Sequence, residues 1–115
     1  MKDYSNTRKM KIIAVDFDGT LCENKYPDIG APRKQVIDRL LAEQANGTKI
    51  ILWTCRTDEQ VEKAVAWCKD QGLIFDAVND NLGHMKDYFG CNPRKIFAHE
   101  YWDDRAVSVI GDTLD

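Results

Sequence analysis

Five consecutive residues, Asp16-Phe17-Asp18-Gly19-Thr20, follow directly on the apolar run Ile12-Ile13-Ala14-Val15. Two carboxylates one residue apart at the end of a strand can divide a reaction between them. Asp16 has the chemistry of a nucleophile toward phosphorus, which would give an aspartyl-phosphate, a recognised covalent strategy. Asp18, two residues on, can reach the leaving oxygen and afterwards the attacking water. Gly19 lets the backbone turn tightly behind the pair, and Thr20 adds a hydroxyl. A second apolar run, Ile50-Ile51-Leu52-Trp53, is followed by Thr54-Cys55-Arg56, and Asp103-Asp104 follows Trp102, with Lys95 just before that last segment.

Acids gathered in one place repel one another unless a cation lies between them. Hard oxygen ligands with an open position suit Mg²⁺, and the hydroxyl and cationic groups beside them suit a phosphate. Whether these residues meet depends on the elements that carry them. A short run that is apolar on both faces predicts a buried parallel strand, so Ile12–Val15 and Lys49–Trp53 are expected to be strands. Residues 21–31, with Pro27, Gly30 and mixed charge, predict a loop or small hairpin.

A helix is expected next, with Pro32 in its first turn. Val36, Ile37, Leu40 and Leu41 form its apolar face, and Asn46-Gly47 its stop. Thr57 followed by Asp58, Glu59 and Gln60 has the form of a capping box. Val61, Ala64, Val65 and Cys68 continue that helix, and Gly72 ends it. Leu73–Val78 is a plausible third strand, residues 79–93 are polar and turn-rich, and Val107–Ile110 is a last short apolar run. Strand and helix in alternation predict an α/β domain with a parallel sheet and right-handed crossovers. In such sheets ligands gather at the carboxyl ends of the strands. Asp16, Asp18, Thr54, Arg56, Asp103 and Asp104 follow such apolar segments, and Lys95 precedes one.

The Asp16-Phe17-Asp18-Gly19-Thr20 run after a hydrophobic strand resembles the first motif, DxDGT or DxDxT, of phosphatases in the haloacid dehalogenase (HAD) superfamily. Thr54 resembles its second motif, Lys95 is the candidate for the third, and Asp103-Asp104 after Tyr101-Trp102 resembles the acidic fourth. The resemblance runs from about Lys11 to Arg105 and is nearest to small, capless HAD hydrolases. It implies a three-layer α/β/α, Rossmann-like domain over residues 11–115, behind a polar extension of residues 1–10. It also implies a Mg²⁺-dependent phosphatase. In that reading Asp16 is nucleophile and metal ligand, and Asp18 is general acid/base with its backbone carbonyl on the metal. Thr54 hydrogen-bonds the transferring phosphoryl group, Lys95 neutralises charge, and Asp103 and Asp104 hold Mg²⁺. Gly19 and Thr20 belong to the same substrate-facing loop. Arg56 has no fixed family role, but its place beside Thr54 suggests substrate contact.

Two assignments have rivals. Lys86 competes with Lys95, and Val107-Ser108-Val109-Ile110-Gly111-Asp112 is another strand leading into an acid, which makes Asp112 an alternative fourth-motif ligand. The first motif is not an EF-hand loop, because Gly19 is the fourth residue of the run and no Glu stands at the twelfth position. A receiver-like domain would carry its acceptor Asp after a later strand. A phosphate-binding or regulatory module without catalysis stays open as the alternative, since a fold does not fix a function.

The chain has 115 residues, 43% hydrophobic and 30% charged, with 16 Lys and Arg against 19 Asp and Glu for a net charge of −3. That length holds one core rather than two, and the composition is neither that of a disordered chain nor that of a membrane span. Cys22, Cys55, Cys68 and Cys91 form no CxxC pair and are expected to be reduced, mostly buried thiols, in keeping with a cytoplasmic protein. The gaps at Leu21–Ala31 and Asn79–Arg94 are too short to fold a cap, so an open site and a phosphorylated substrate on a bulky carrier are expected. Net acidity makes nucleic acid the less favoured carrier, despite a basic arm of Lys2, Arg8, Lys9 and Lys11. No membrane partner is expected, and an exposed sheet edge leaves room for homo-oligomer pairing.

Overall fold

The structure, a computed structural model, describes residues 10–92 and 95–105. The expected Val107–Ile110 strand, the rival ligand Asp112 and most of the basic arm lie outside these residues. Strand β1 (Ile12–Val15) is buried at all four positions because both of its faces are covered. Ile13 and Val15 pack into a cluster with Ile37, Leu40, Ala64 and Cys68, while Ile12 and Ala14 pack on the other side with Ile51, Leu82, Met85 and Ile96. The period-2 alternation of a strand thus serves two cores, which is why the run carries no polar residue.

After β1 the chain forms an antiparallel hairpin of β2 (Cys22–Lys25) and β3 (Asp28–Pro32), then α1 (Lys34–Ala45), β4 (Lys49–Leu52), α2 (Asp58–Asp70), β5 (Ala77–Val78), α3 (Gly83–Phe89) and β6 (Glu100–Trp102). The four strands outside the hairpin form a parallel sheet in the order β5-β4-β1-β6. Helices flank it, so the chain is an α/β protein. Among the described residues no helix is long and apolar enough to cross a membrane.

The register brings the reactive ends together. Val15 of β1 pairs with Leu52 of β4 and with Trp102 of β6. The Asp16 N–H then donates to the Trp102 carbonyl at 2.9 Å, and the Trp53 N–H to the Val15 carbonyl at 2.8 Å. The residues just after β1, β4 and β6 therefore share one rim of the sheet.

Several local expectations are corrected. Pro32 ends β3 instead of opening α1, whose N-cap is Arg33. Thr57 does sit at the N-cap of α2, but its side chain makes no capping bond. The Gln60 side chain that would complete a capping box accepts a hydrogen bond from Arg56 instead. The third strand shrinks to Ala77–Val78, because the Asp76 carboxylate takes the Ile50 N–H at 2.8 Å where a backbone carbonyl would extend the ladder. The turn-rich stretch holds α3, which ends at Gly90 with φ of 72°, a left-handed cap that suits glycine. Cys22 and Cys68 are buried and Cys55 and Cys91 exposed, all four as free thiols.

Candidate active site

Asp16 leaves β1 half-buried, and Asp103 and Asp104 leave β6 on the neighbouring strand. Each of the three offers a carboxylate oxygen, and these oxygens lie within 4.8 Å of one another. Burial above all pushes the Asp16 carboxyl up to about 6; a backbone hydrogen bond of Phe17 opposes it, and the charges of Asp103, Asp104 and Asp18 add to the rise. Three anionic groups at this spacing are electrostatically costly alone. They form a ready set of hard oxygen donors for a divalent cation.

Two features of the sequence hold Asp104 and Asp103 in place. Gly19 has φ of 87°, and a Cβ built on it would lie 2.3 Å from the Asp104 Oδ2. The glycine is thus required both by the backbone turn and by the carboxylate packed against it. The Asp103 Oδ1 accepts a hydrogen bond from the Arg105 N–H at 3.0 Å, which orients the carboxylate from its own turn.

The three acids line a cleft of about 510 Å³ together with Asp18, Asn24, Tyr26, Thr54, Cys55, Arg56 and Arg105. Thr54 follows β4 and is nearly buried, at 8% exposure. Its N–H donates to the Asn79 Oδ1 at 2.7 Å, and its Oγ1 accepts the Arg56 N–H at 3.1 Å. With one lone pair so engaged, the hydroxyl proton stays available to a ligand oxygen. Asn79, at φ of 52°, is a positioning residue that the sequence reading missed. Its only signal was membership of the turn-prone run Asn79-Asp80-Asn81.

Asp18 is not part of the three-carboxylate group. Both of its oxygens are taken by Arg56, Oδ2 by Nε at 2.8 Å and Oδ1 by Nη2 at 2.7 Å. Arg56 itself is 1% exposed. Its remaining N–H groups go to the Pro27 carbonyl, the Gln60 Oε1 and the Asp28 carbonyl at 3.2, 3.2 and 2.9 Å. All five guanidinium donors are therefore spent. This corrects the expectation of substrate contact, since Arg56 borders the cleft but has no donor left for a phosphate.

The structure does not bring Lys95 to the carboxylates. Its Nζ stands 6.0 Å from the Tyr101 ring centroid, and the residue lines a separate apolar cavity with Phe89, Cys91, Ile96, Phe97 and Ala98. Lys86, the rival, is bonded to Asp80 at 2.7 Å. Besides the fully engaged Arg56, Arg105 is the cation that lines the acidic cleft among the described residues. Thr20 is also corrected as a substrate-facing group: among the described residues its buried Oγ1 has no hydrogen-bond partner, and the residue does not line the cleft.

Comparison with known proteins adds a relative. Over 90% of this chain and 83% of the other, the protein matches the solved structure of a conserved protein of Bacteroides thetaiotaomicron, with a TM-score of 0.76 and 37% identity. The two chains belong to one family. No protein-family model matches the chain, and no curated protein matches it. The Bacteroides member of the family is described as a conserved protein and by no reaction, so the chemistry of the site rests on the residues themselves.

Proposed function

We propose that the protein is a Mg²⁺-dependent phosphomonoesterase of the HAD type, a capless three-layer Rossmann-like domain working through an aspartyl-phosphate on Asp16. The observation that carries this reading is the convergence of Asp16, Asp103 and Asp104 within 4.8 Å on a cleft that Thr54 also lines. Helical cores on both faces of a parallel sheet support the layering.

Asp16, Asp103 and Asp104 would hold the Mg²⁺. The donor set fits, since all three offer hard oxygens, and the Asp16 carboxyl, raised first by burial and further by the neighbouring acids, carries a cost that a divalent cation relieves. When bound, the ion supplies positive charge to the phosphoryl oxygens. Asp16 attacks phosphorus through a carboxylate oxygen and the bond to the leaving oxygen breaks. Asp18, as the general acid, supplies the proton to that oxygen, which departs as an alcohol. Water then attacks the aspartyl-phosphate while Asp18 takes its proton, and inorganic phosphate leaves, restoring both acids. Thr54 donates its hydroxyl to a phosphoryl oxygen, and Arg105, which lines the cleft, is the cation placed to balance charge.

The open cleft suits a phosphate carried on a larger molecule, and the free thiols suit a reducing, cytoplasmic setting. A phosphate-binding module without turnover is the second reading, favoured by the position of Lys95 outside the cleft. Hydrolysis of p-nitrophenyl phosphate with and without Mg²⁺, beside Asp16→Asn, separates the two. Metal-dependent turnover lost in the variant is expected. Folded wild-type protein that binds Mg²⁺ and phosphate without turnover would establish the second reading.

A further inference from the structure

The strongest unexplained arrangement is the arginine with no free donor. Arg56 follows Thr54 by two residues, yet its side chain ties together three separate pieces of chain. Its fork holds Asp18 of the loop after β1. Two further donors hold the carbonyls of Pro27 and Asp28 at the turn of the β2–β3 hairpin, and the last holds Gln60 in the first turn of α2. The Phe17 and Tyr26 rings each lie with their centroid 5.0 Å from the guanidinium carbon. A guanidinium over aromatic faces is held against rotation as well as translation.

Burial sharpens the meaning of these contacts. Arg56 is 1% exposed and the Asp18 side chain 16%. A buried guanidinium needs its charge and all its donors met, and breaking one partner of such a pair is more costly than the pair is stabilising. The same group therefore cannot be turned to a substrate without leaving Asp18 and two hairpin carbonyls unsatisfied. Asn24 and Tyr26 of the hairpin line the acidic cleft, so the position of that wall is set by the same strut.

We infer that Arg56 is a positioning residue that fixes Asp18 and clamps the β2–β3 hairpin against the cleft, and that it does not bind the phosphate. The catalytic part of this inference rests on the phosphatase reading, and the clamp does not. Arg56 acts on the reaction through Asp18, holding the carboxylate where the leaving oxygen departs. Lysine cannot replace it, because three donors on one nitrogen cannot span Asp18, the hairpin turn and Gln60.

The test uses the full chain, with Arg56→Lys and Asp18→Asn beside wild type. Amide hydrogen exchange over residues 22–33 reads the clamp without any activity. Both variants are expected to lose protection there by about tenfold or more while β1 and β4 stay protected. Unchanged hairpin exchange in both would overturn the clamp, and Asp18→Asn decides it should Arg56→Lys fail to fold. The catalytic arm compares p-nitrophenyl phosphate with an alkyl phosphate. The first leaves without help, whereas the second needs a proton from Asp18. Arg56→Lys is expected to lose about 10²-fold or more in kcat/KM on the alkyl ester and far less on the nitrophenyl ester, because kcat/KM reads the step that expels the leaving group and not the later attack of water, which Asp18 serves for both substrates. A rise in KM shared by both substrates with kcat preserved would show phosphate contact and refute the positioning role. Absence of wild-type turnover would instead sink the phosphatase reading and leave the exchange result to judge the clamp.

Discussion

The Asp104 carboxylate occupies the space that a side chain on Gly19 would need, its Oδ2 lying 2.3 Å from the position of a Cβ. A glycine in the loop after β1 and an acid after β6 are thereby fitted to each other across the sheet. Their strands are neighbours in register, so the fit joins two motifs that are far apart in sequence.

Gly19→Ala should therefore damage both the fold and the acidic cluster. The positive φ alone strains an alanine, at a cost of about 1–3 kcal/mol. The new methyl would also push Asp104 from the group it forms with Asp16 and Asp103. The expected outcome is a lower melting temperature and Mg²⁺ affinity weakened about tenfold or more by calorimetry. A variant with wild-type Mg²⁺ affinity would show that Asp104 contributes no ligand.

Asp16 carries the site's pH dependence. Its carboxyl is pushed up to about 6 from an ordinary value of 3.8, so between those values the folded protein binds more protons than the unfolded chain. Stability of the metal-free protein then falls as pH rises through this window and stays lower above it. Asp16→Asn removes the buried charge and is expected to stabilise the metal-free protein at pH 7, by an amount on the order of 1–3 kcal/mol. The same substitution should abolish turnover. Denaturant unfolding at pH 4 and pH 7 checks the sign, which would be wrong if the variant gained nothing at the higher pH. Wild-type Mg²⁺ affinity should also drop below about pH 6, where protons compete for Asp16.

The parts of this site that could be read in the sequence are those tied to buried strands. Ile12–Val15 and Lys49–Leu52 are apolar on both faces because two cores use them, and such runs fix where the following polar residue emerges. Asp16 and Thr54 were legible for that reason, whereas Asp103 follows the partly buried β6 and was read from its likeness to an acidic motif. Helix α3 was not, since only Met85 of its seven residues is buried and the rest reads as polar turn. The role of Arg56 was hidden as well. Its partners are two backbone carbonyls, Asp18 and Gln60, and main-chain carbonyls leave no mark in a sequence. Lys95 was assigned from its place before a strand, but that strand begins only at Glu100, and the intervening residues carry the lysine to another cavity.

Thr54 offers a direct test of hydroxyl chemistry. Its Oγ1 accepts the Arg56 N–H, so Thr54→Val removes both a donor to the phosphoryl group and an acceptor for a buried amide. Loss of one such donor costs about 10²–10³ in kcat, and the orphaned amide costs about 1–3 kcal/mol of stability. Thr54→Ser keeps both functions and is expected to stay within about tenfold of wild type. Equal activity of the Ser and Val variants would remove the hydroxyl from the reaction.

His99 supplies a pH effect of opposite sign to that of Asp16, far from the acids. Its Nδ1 accepts the Ile12 N–H at 2.9 Å, which places the proton of the neutral ring on Nε2. Nε2 is buried with no partner among the described residues, and burial holds the ring below the ordinary histidine value of 6.5, against an opposing pull from Glu100. The unfolded chain therefore takes up a proton at a higher pH than the folded one does. Stability contributed by neutral His99 is complete above pH 6.5 and is lost as pH falls from there through its lower folded value. Protonation would also turn Nδ1 into a donor facing the Ile12 N–H, two donors with nothing between them. His99→Asn keeps an acceptor near the Nδ1 position and cannot be protonated. In an Asp16→Asn background, which removes the opposing contribution, the histidine protein should lose stability between pH 7 and pH 5 while the asparagine variant does not. Parallel unfolding curves for the two across that range would place the pH dependence elsewhere in the chain.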